Sequence, residues 1–337
     1  MNRRPLFGSL ARISDLESDG FDVEAVDREA WRTSDYVLAE VIDPGQQNRV
    51  EFSTGRLASY DRGDLLMGAL GVRHATLEAT GDWRSIGPDL NMHMLTGAGL
   101  MGQATSVSAV LGSLARVRYL GHASREGSVV RMTDFVPDLE PVPYRTPTIL
   151  VIGTSMSAGK TTAARVIVRL LHEAGLRVAG AKLTGAGRYR DILSMGDAGA
   201  DPIIDFVDAG LPSSVCDPVR YRDAAQHLLT RIATSGVDVA VIEAGASPLE
   251  PYNGETAVAA LGSAVRLTVL AASDPYAVLG VVHAFDRRPD LVTGITASTH
   301  AGIELVERLT GLRTLDVRDA DEELRALVIS ALENTDS

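Results

Sequence analysis

Hydrophobic positions in the first part of the chain come in short runs, several of them alternating with polar residues. This pattern predicts strands at Tyr36–Ile42, Val50–Phe52, Asp64–Ala69, His74–Glu78, Ala115–Leu120 and Ser128–Phe135. Asp43-Pro44-Gly45, Thr54-Gly55 and Asp61-Arg62-Gly63 separate some of them as turns. The segment Leu100–Leu114 is read as a helix. Together these elements predict a small, strand-rich α+β or barrel-like domain over residues 1–136.

The period changes after a proline-rich stretch. Pro137, Pro141, Pro143 and Pro147 lie within eleven residues, which excludes a helix or a central strand and predicts a stiff, extended linker over 137–147. Beyond it, apolar runs alternate with stretches of helical spacing. Thr148–Ile152, Arg177–Lys182, Val237–Ile242, Val265–Ala272, Leu291–Ala297 and Arg313–Val317 read as strands. Lys160–Ala174, Asp223–Thr234, Tyr276–Phe285, His300–Leu309 and Asp321–Leu332 read as helices. Alternation of this kind implies βαβ units, an α/β class and a mainly parallel sheet over 148–337, with ligands at the carboxyl ends of its strands.

Composition narrows the function classes. The 337 residues carry 32 Lys+Arg against 44 Asp+Glu, a net charge of −12, which argues against a general nucleic-acid binder. No apolar run approaches the roughly 18 residues of a membrane span. The basic start Met1-Asn2-Arg3-Arg4-Pro5 lacks the apolar core of a signal peptide, so a cytoplasmic protein is expected, without membrane or nucleic-acid partners. The lone cysteine, Cys216, allows neither an internal disulfide nor a cysteine-rich metal site. Only two of the 32 basic residues are lysines, Lys160 and Lys182. In so arginine-rich a chain, the two lysines either remain by chance or mark places where a compact ammonium is needed and a planar guanidinium does not fit.

Lys160 lies in the run Gly153-Thr154-Ser155-Met156-Ser157-Ala158-Gly159-Lys160-Thr161-Thr162, which follows an apolar strand and opens a helix. That is the context of a phosphate-binding loop: small residues let backbone N–H groups close on an anion, and the helix N-terminus adds positive potential. Gly153, Thr154, Ser155, Ser157, Ala158, Gly159, Lys160, Thr161 and Thr162 are the expected cofactor-binding residues. Lys160 would reach the β- and γ-phosphates, and the Thr161 hydroxyl would bind Mg²⁺. The domain is therefore expected to be P-loop NTPase-like. Five residues rather than four separate Gly153 from Gly159.

The longer loop resembles that of the dethiobiotin synthetase group of P-loop enzymes. In that group a lysine at the end of the next strand contacts substrate, and a Glu-Gly-Ala-Gly-like segment follows a buried strand. Lys182 in Ala179–Gly185 and Glu243-Ala244-Gly245-Ala246-Ser247 occupy the matching positions. A closer resemblance is to a P-loop family that includes D-glutamate N-acetyltransferases. It rests on the Gly153-Thr154 loop start, on Asp205-Phe206-Val207 followed by Gly210, and on Glu243 through Pro248. This second resemblance implies a mixed N-terminal domain joined to a P-loop domain, and acyl transfer from acetyl-CoA.

Other residues could serve the same cleft. Lys182 is either a surface lysine or a contact for a substrate carboxylate or phosphate; the small neighbours Thr184, Gly185 and Gly187 favour the contact. Arg188 and Arg190 could grip such a group or be solvated. Glu243 ends an apolar run and could reach Mg²⁺ or orient a nucleophile, whereas Asp238, at the other end of that strand, is expected to cap or face solvent. Of Asp191, Asp197, Asp201 and Asp205, only Asp191 is taken as a substrate-binding candidate, because turn and cap chemistry explains many Asp residues. Asp274 is a cleft residue or a helix cap. Gly97-Ala98-Gly99-Leu100-Met101-Gly102 matches the dinucleotide fingerprint formally but lacks its strand–helix setting, so it is read as a structural turn.

Three functions fit. The leading one is an ATP- and Mg²⁺-dependent transferase or ligase acting on a small carboxylate- or amine-bearing substrate, with Lys160, Lys182 and Glu243 as catalytic residues and a small-molecule carboxylate or amino acid as the expected partner. The second is an acyl-CoA-dependent N-acyltransferase whose loop holds the CoA phosphates. The third is a nucleotide-dependent switch or assembly factor. A homo-oligomer is compatible with all three.

Overall fold

The computed structural model describes residues 4–245, 247–285 and 287–333. These form two compact units. The first holds the described residues up to Asp138 together with Ala186–Arg190 and Phe206–Cys216. The second holds Leu139–Gly185, Asp191–Asp205 and the described residues from Asp217 onward.

The first unit is built on strands, and a ring of five of them encloses its core. Leu65–Leu70, Tyr36–Asp43, Arg116–Arg125, Asn91–Thr96 and Leu100–Val107 pair in that order, and the last pairs back, in parallel, with the first. Val37, Ala39 and Val41, Met92 and Met94, and Val117 and Tyr119 point inward at period two and share one core with Trp31 and Tyr60. Closure depends on two glycines. A Cβ at Gly68 would lie 2.1 Å from the carbonyl oxygen of Gly99, and Gly99 itself has φ of +94°. The Gly97–Gly102 run is thus a turn and a ring seam.

Leu100–Leu114, expected as a helix, contains the strand Leu100–Val107 instead. Its pairing on both sides outweighs its apolar spacing, and its Gly102, Thr105, Ser106 and Val107 are poor helix formers. Within His74–Glu78 the structure turns, joining Val72–Ala75 to Ala79–Asp82 as a hairpin. Ser128–Phe135 divides into a short strand, Ser128–Val129, and a helical turn, Met132–Phe135.

The second unit carries a six-stranded sheet in the order Ile203–Asp205, Val178–Thr184, Val239–Ala244, Thr148–Gly153, Val265–Ala271, Leu291–Thr293. Every pairing in it is parallel, and the central strands read as continuous apolar runs because both faces are covered. Helices Lys160–Glu173 and Asp321–Glu333 share one core with Ile149, Val151, Val241 and Val269. The unit has the α/β architecture with a parallel sheet expected from the sequence. Residues 137–147 contain no helix or strand.

The strand expected at Arg313–Val317 is reduced to a single bridge between Thr314 and Val292. Two helices absent from the sequence reading are present, Tyr189–Gly196 and Gly254–Leu261. A third begins earlier than expected, at Pro218, because Asp217 caps it and proline fits a first helical turn. Among the described residues no helix is long and apolar enough to cross a membrane.

Candidate functional site

The strand order places a topological switch at the centre of the second unit. From Thr148–Gly153 the chain crosses to Val178–Thr184; from the neighbouring Val239–Ala244 it goes the other way, to Val265–Ala271. Ligands of open parallel sheets bind beyond the carboxyl ends of such a strand pair. Here those ends carry the Gly153–Thr162 loop and the Glu243–Gly245 turn.

The loop is held from one side. The Thr154 amide donates to the Ala271 carbonyl (3.1 Å), and the Thr154 hydroxyl accepts from the Ser273 amide (3.0 Å). Gly159 caps the following helix with φ of +107°, and a Cβ there would stand 3.2 Å from the Cα of Gly294. No side chain caps this helix. First-turn amides of an α-helix have no partner within the helix, so those of Lys160, Thr161 and Thr162 present an anion site. Ser155 is half-buried, Ser157 exposed and Ala158 buried.

Lys160 folds back over the loop. Its stem covers Gly153, where a Cβ would lie 2.7 Å from the lysine Cδ, and its ammonium donates to the Ser155 carbonyl (2.6 Å). Only 3% of the residue is exposed. Burial pushes its pKa below the usual lysine value, against the opposing pull of Glu243.

Beside it, the Thr161 hydroxyl donates to Glu243 Oε2 at 3.0 Å. That spacing suits a hexacoordinate cation: two oxygens at ~2.1 Å from Mg²⁺ and at right angles lie about 3.0 Å apart. Among the described residues no three His, Cys, Asp or Glu side chains gather as a metal cage. Mg²⁺ does not need one, since water and phosphate oxygens commonly complete its shell.

Lys182 aligns in register with Glu243 on one neighbouring strand and Asp205 on the other. Its ammonium is ion-paired with Asp191 of the Tyr189–Gly196 helix. Burial alone would lower the Lys182 pKa, but Asp191, Glu243 and Asp205 together hold it above the usual value. The Thr184 hydroxyl donates to the Gly245 carbonyl, tying two strand ends together.

Lys160, Thr161, Lys182, Asp191 and Glu243 are thus linked at one end of one sheet, and Thr184 stands beside them. Arg188 is exposed and lies in Ala186–Arg190, which packs with the first unit. Asp197 and Asp201 are exposed as well. Asp238 pairs with Arg177 (2.7 Å) at the opposite end of its strand, and that hydrogen bond lowers its pKa to about 2. Asp274 caps the Pro275–Ala284 helix, accepting from the Tyr276 and Ala277 amides. Ala246, part of the Glu243–Ser247 segment, lies outside the described residues.

The sequence reading missed the Lys182–Asp191 pairing. The signal was present: Asp191 falls nine residues after Lys182, on a short amphipathic stretch, Tyr189–Gly196, to which the periodicity assigns no element. It also missed the end of the last strand at Gly294: Leu291–Ala297, expected as one strand, stops at Thr293 and turns at Gly294, whose φ of +91° lets its backbone approach Ala158.

No protein-family model matches the chain, and no curated protein matches it significantly. Solved structures similar to it include a DUF1611-family protein from Anabaena variabilis, at 16% identity and a TM-score of 0.38, covering 57% of this chain and 58% of that one. Chloroplast FtsY from Physcomitrella patens is similar at 13% identity and a TM-score of 0.38, covering 56% of this chain and 67% of that one. The cell division protein FtsY from Thermotoga maritima is similar at 21% identity and a TM-score of 0.36, covering 60% and 73%. The first of these matches spans less than two thirds of the other protein's length. Likeness of this degree bears on neither ligand nor activity.

Proposed function

We propose that the second unit binds a Mg²⁺–nucleoside triphosphate at Gly153–Thr162 and transfers its terminal phosphoryl group to a small anionic substrate facing Lys182. The observation that carries this reading is the Thr161–Glu243 contact. It sets a hydroxyl and a carboxylate one Mg²⁺ coordination edge apart, at the mouth of a loop whose lysine is buried. Mg²⁺ would neutralise charge on the transferred group.

The chain's own residues do the positioning. First-turn amides of Lys160, Thr161 and Thr162 would hold the phosphates, and the Lys160 ammonium would leave the Ser155 carbonyl for a phosphate oxygen. Lys182 would orient the acceptor, and Glu243, on the strand between those of Lys182 and of the loop, would hold the metal. Catalysis in such a site is chiefly alignment and charge stabilisation. Acceptance of the phosphoryl group by a carboxylate would give an acyl phosphate, which a second nucleophile could capture.

The test is the Mg²⁺ dependence of binding, read by calorimetry with ATP, GTP and coenzyme A. Wild-type protein is expected to bind one of the triphosphates at least about tenfold more tightly with Mg²⁺ than without, and Glu243→Gln to lose that difference. Equal affinity with and without Mg²⁺ would overturn the metal site. Binding of coenzyme A in place of both triphosphates would support the acyl-transfer alternative.

A further inference from the structure

Lys182 has more carboxylates around it than one ammonium needs. It is paired with Asp191, and it aligns with Glu243 and Asp205 on the strands to either side. Removing one partner of a buried pair is damaging when it leaves a bare charge. Here two further carboxylates would remain, so Asp191 can leave without stranding the lysine.

The partners also differ in where they are anchored. Glu243 and Asp205 belong to sheet strands and are 2% and 1% exposed. Asp191 is on a short helix, with a fifth of its side chain exposed, while the side chain of Lys182 is only 8% exposed. Asp191 therefore forms the solvent side of the pair: turning it away uncovers the ammonium. Lys160 shows the same arrangement with a neutral partner, since its ammonium is occupied by a carbonyl of its own loop.

We propose that Asp191 is an internal stand-in for an anionic group of the second ligand, a carboxylate or a phosphate. Such a ligand would bind Lys182 by displacing Asp191, and the pair seen here is a self-inhibited form of the subsite. Asp191 then competes with the substrate for Lys182 rather than holding it. The inference rests on Lys182 facing the substrate but does not require that the loop bind a nucleotide.

The chain's two lysines make the test direct. Protein labelled with ¹⁵N in its lysine side chains gives two ammonium signals, assigned with Lys160→Arg. Succinate alone, without nucleotide, is titrated in. In wild-type protein, succinate is expected to shift the Lys182 signal and leave the Lys160 signal in place. In Asp191→Asn, half-saturation is expected at about a tenfold lower concentration, because a neutral amide competes less well than a carboxylate. Asp191→Glu keeps the competitor and should stay near the wild-type value. A Lys182 signal that never moves in wild type, a shift of Lys160 instead, or an affinity unchanged or weakened in Asp191→Asn would each overturn the proposal. If Asp191→Asn fails to fold, Asp191→Ser, which also lacks the carboxylate, carries the same comparison with the same expected and overturning results. Because no nucleotide is added, loss of the nucleotide reading would leave this result standing, and the reverse.

Discussion

Two runs that sequence motifs associate with nucleotides have opposite meanings in the two units. In the first unit, Gly97–Gly102 resembles a dinucleotide fingerprint, yet the space that a Cβ would take at Gly68, against this run, is filled by backbone, the Gly99 carbonyl at 2.1 Å. In the second unit, the space above Gly153 is filled by the stem of Lys160, with its Cδ at 2.7 Å. One glycine run lets two strands touch and shuts a ring. The other lets a charged side chain lie across a turn. What fills the missing side chain's place, paired backbone or the stem of a cationic side chain, separates the two glycines.

The sharpest way to break this contrast is to add a methyl group on each side of it. Gly68→Ala is expected to cost about 3 kcal/mol or more in thermal or denaturant unfolding, because neither the Gly99 carbonyl nor the paired strands can yield. A loss below about 1 kcal/mol would mean that the ring seam relaxes and that its glycines are not required. Gly153→Ala should do the reverse. The lysine stem can shift, so stability should fall by no more than about 1 kcal/mol, while triphosphate affinity drops about tenfold as the ammonium is displaced. A large stability loss with unchanged affinity would erase the distinction.

These two sites also show how much was legible beforehand. Gly153–Thr162 could be read because each part of it is local: an apolar strand, small residues, then Lys-Thr at a helix start. Lys182 and Glu243 could be read because each ends a continuous apolar run, and a parallel sheet brings strand ends together. The ring seam could not be read, since it depends on Gly68 meeting Gly99 across thirty-one residues (99 − 68) and on strand pairing that overrode helical spacing in Leu100–Leu114. The Lys182–Asp191 pair was hidden for a related reason. It needed the Tyr189–Gly196 helix, whose eight residues are too few for a firm periodic signal. Asp217-Pro218, by contrast, was a readable helix start that the periodicity alone set too late.

The smallest expected effect is on pH dependence. Burial lowers the Lys160 pKa, so between that value and 10.5 the unfolded chain binds more protons, and the contribution of this lysine to stability rises with pH. Lys182 is displaced upward: its stabilisation is complete below 10.5 and is lost only above it. Triphosphate affinity, which needs the Lys160 ammonium, should therefore begin to fall at a pH below the ordinary lysine value of 10.5. Affinity that stays flat up to that value would show that the ammonium takes no part.

The central claim is that the Gly153–Thr162 turn and its buried lysine hold a polyphosphate. With two lysines in the chain, ¹⁵N-labelled side chains report on it directly while a Mg²⁺–nucleoside triphosphate is added. The account predicts a large shift of the Lys160 signal, as its hydrogen bond passes from the Ser155 carbonyl to a phosphate, and a loss of affinity of about a hundredfold in Lys160→Ala. A Lys160 signal that stays in place at saturating nucleotide, or undiminished binding in Lys160→Ala, would contradict it.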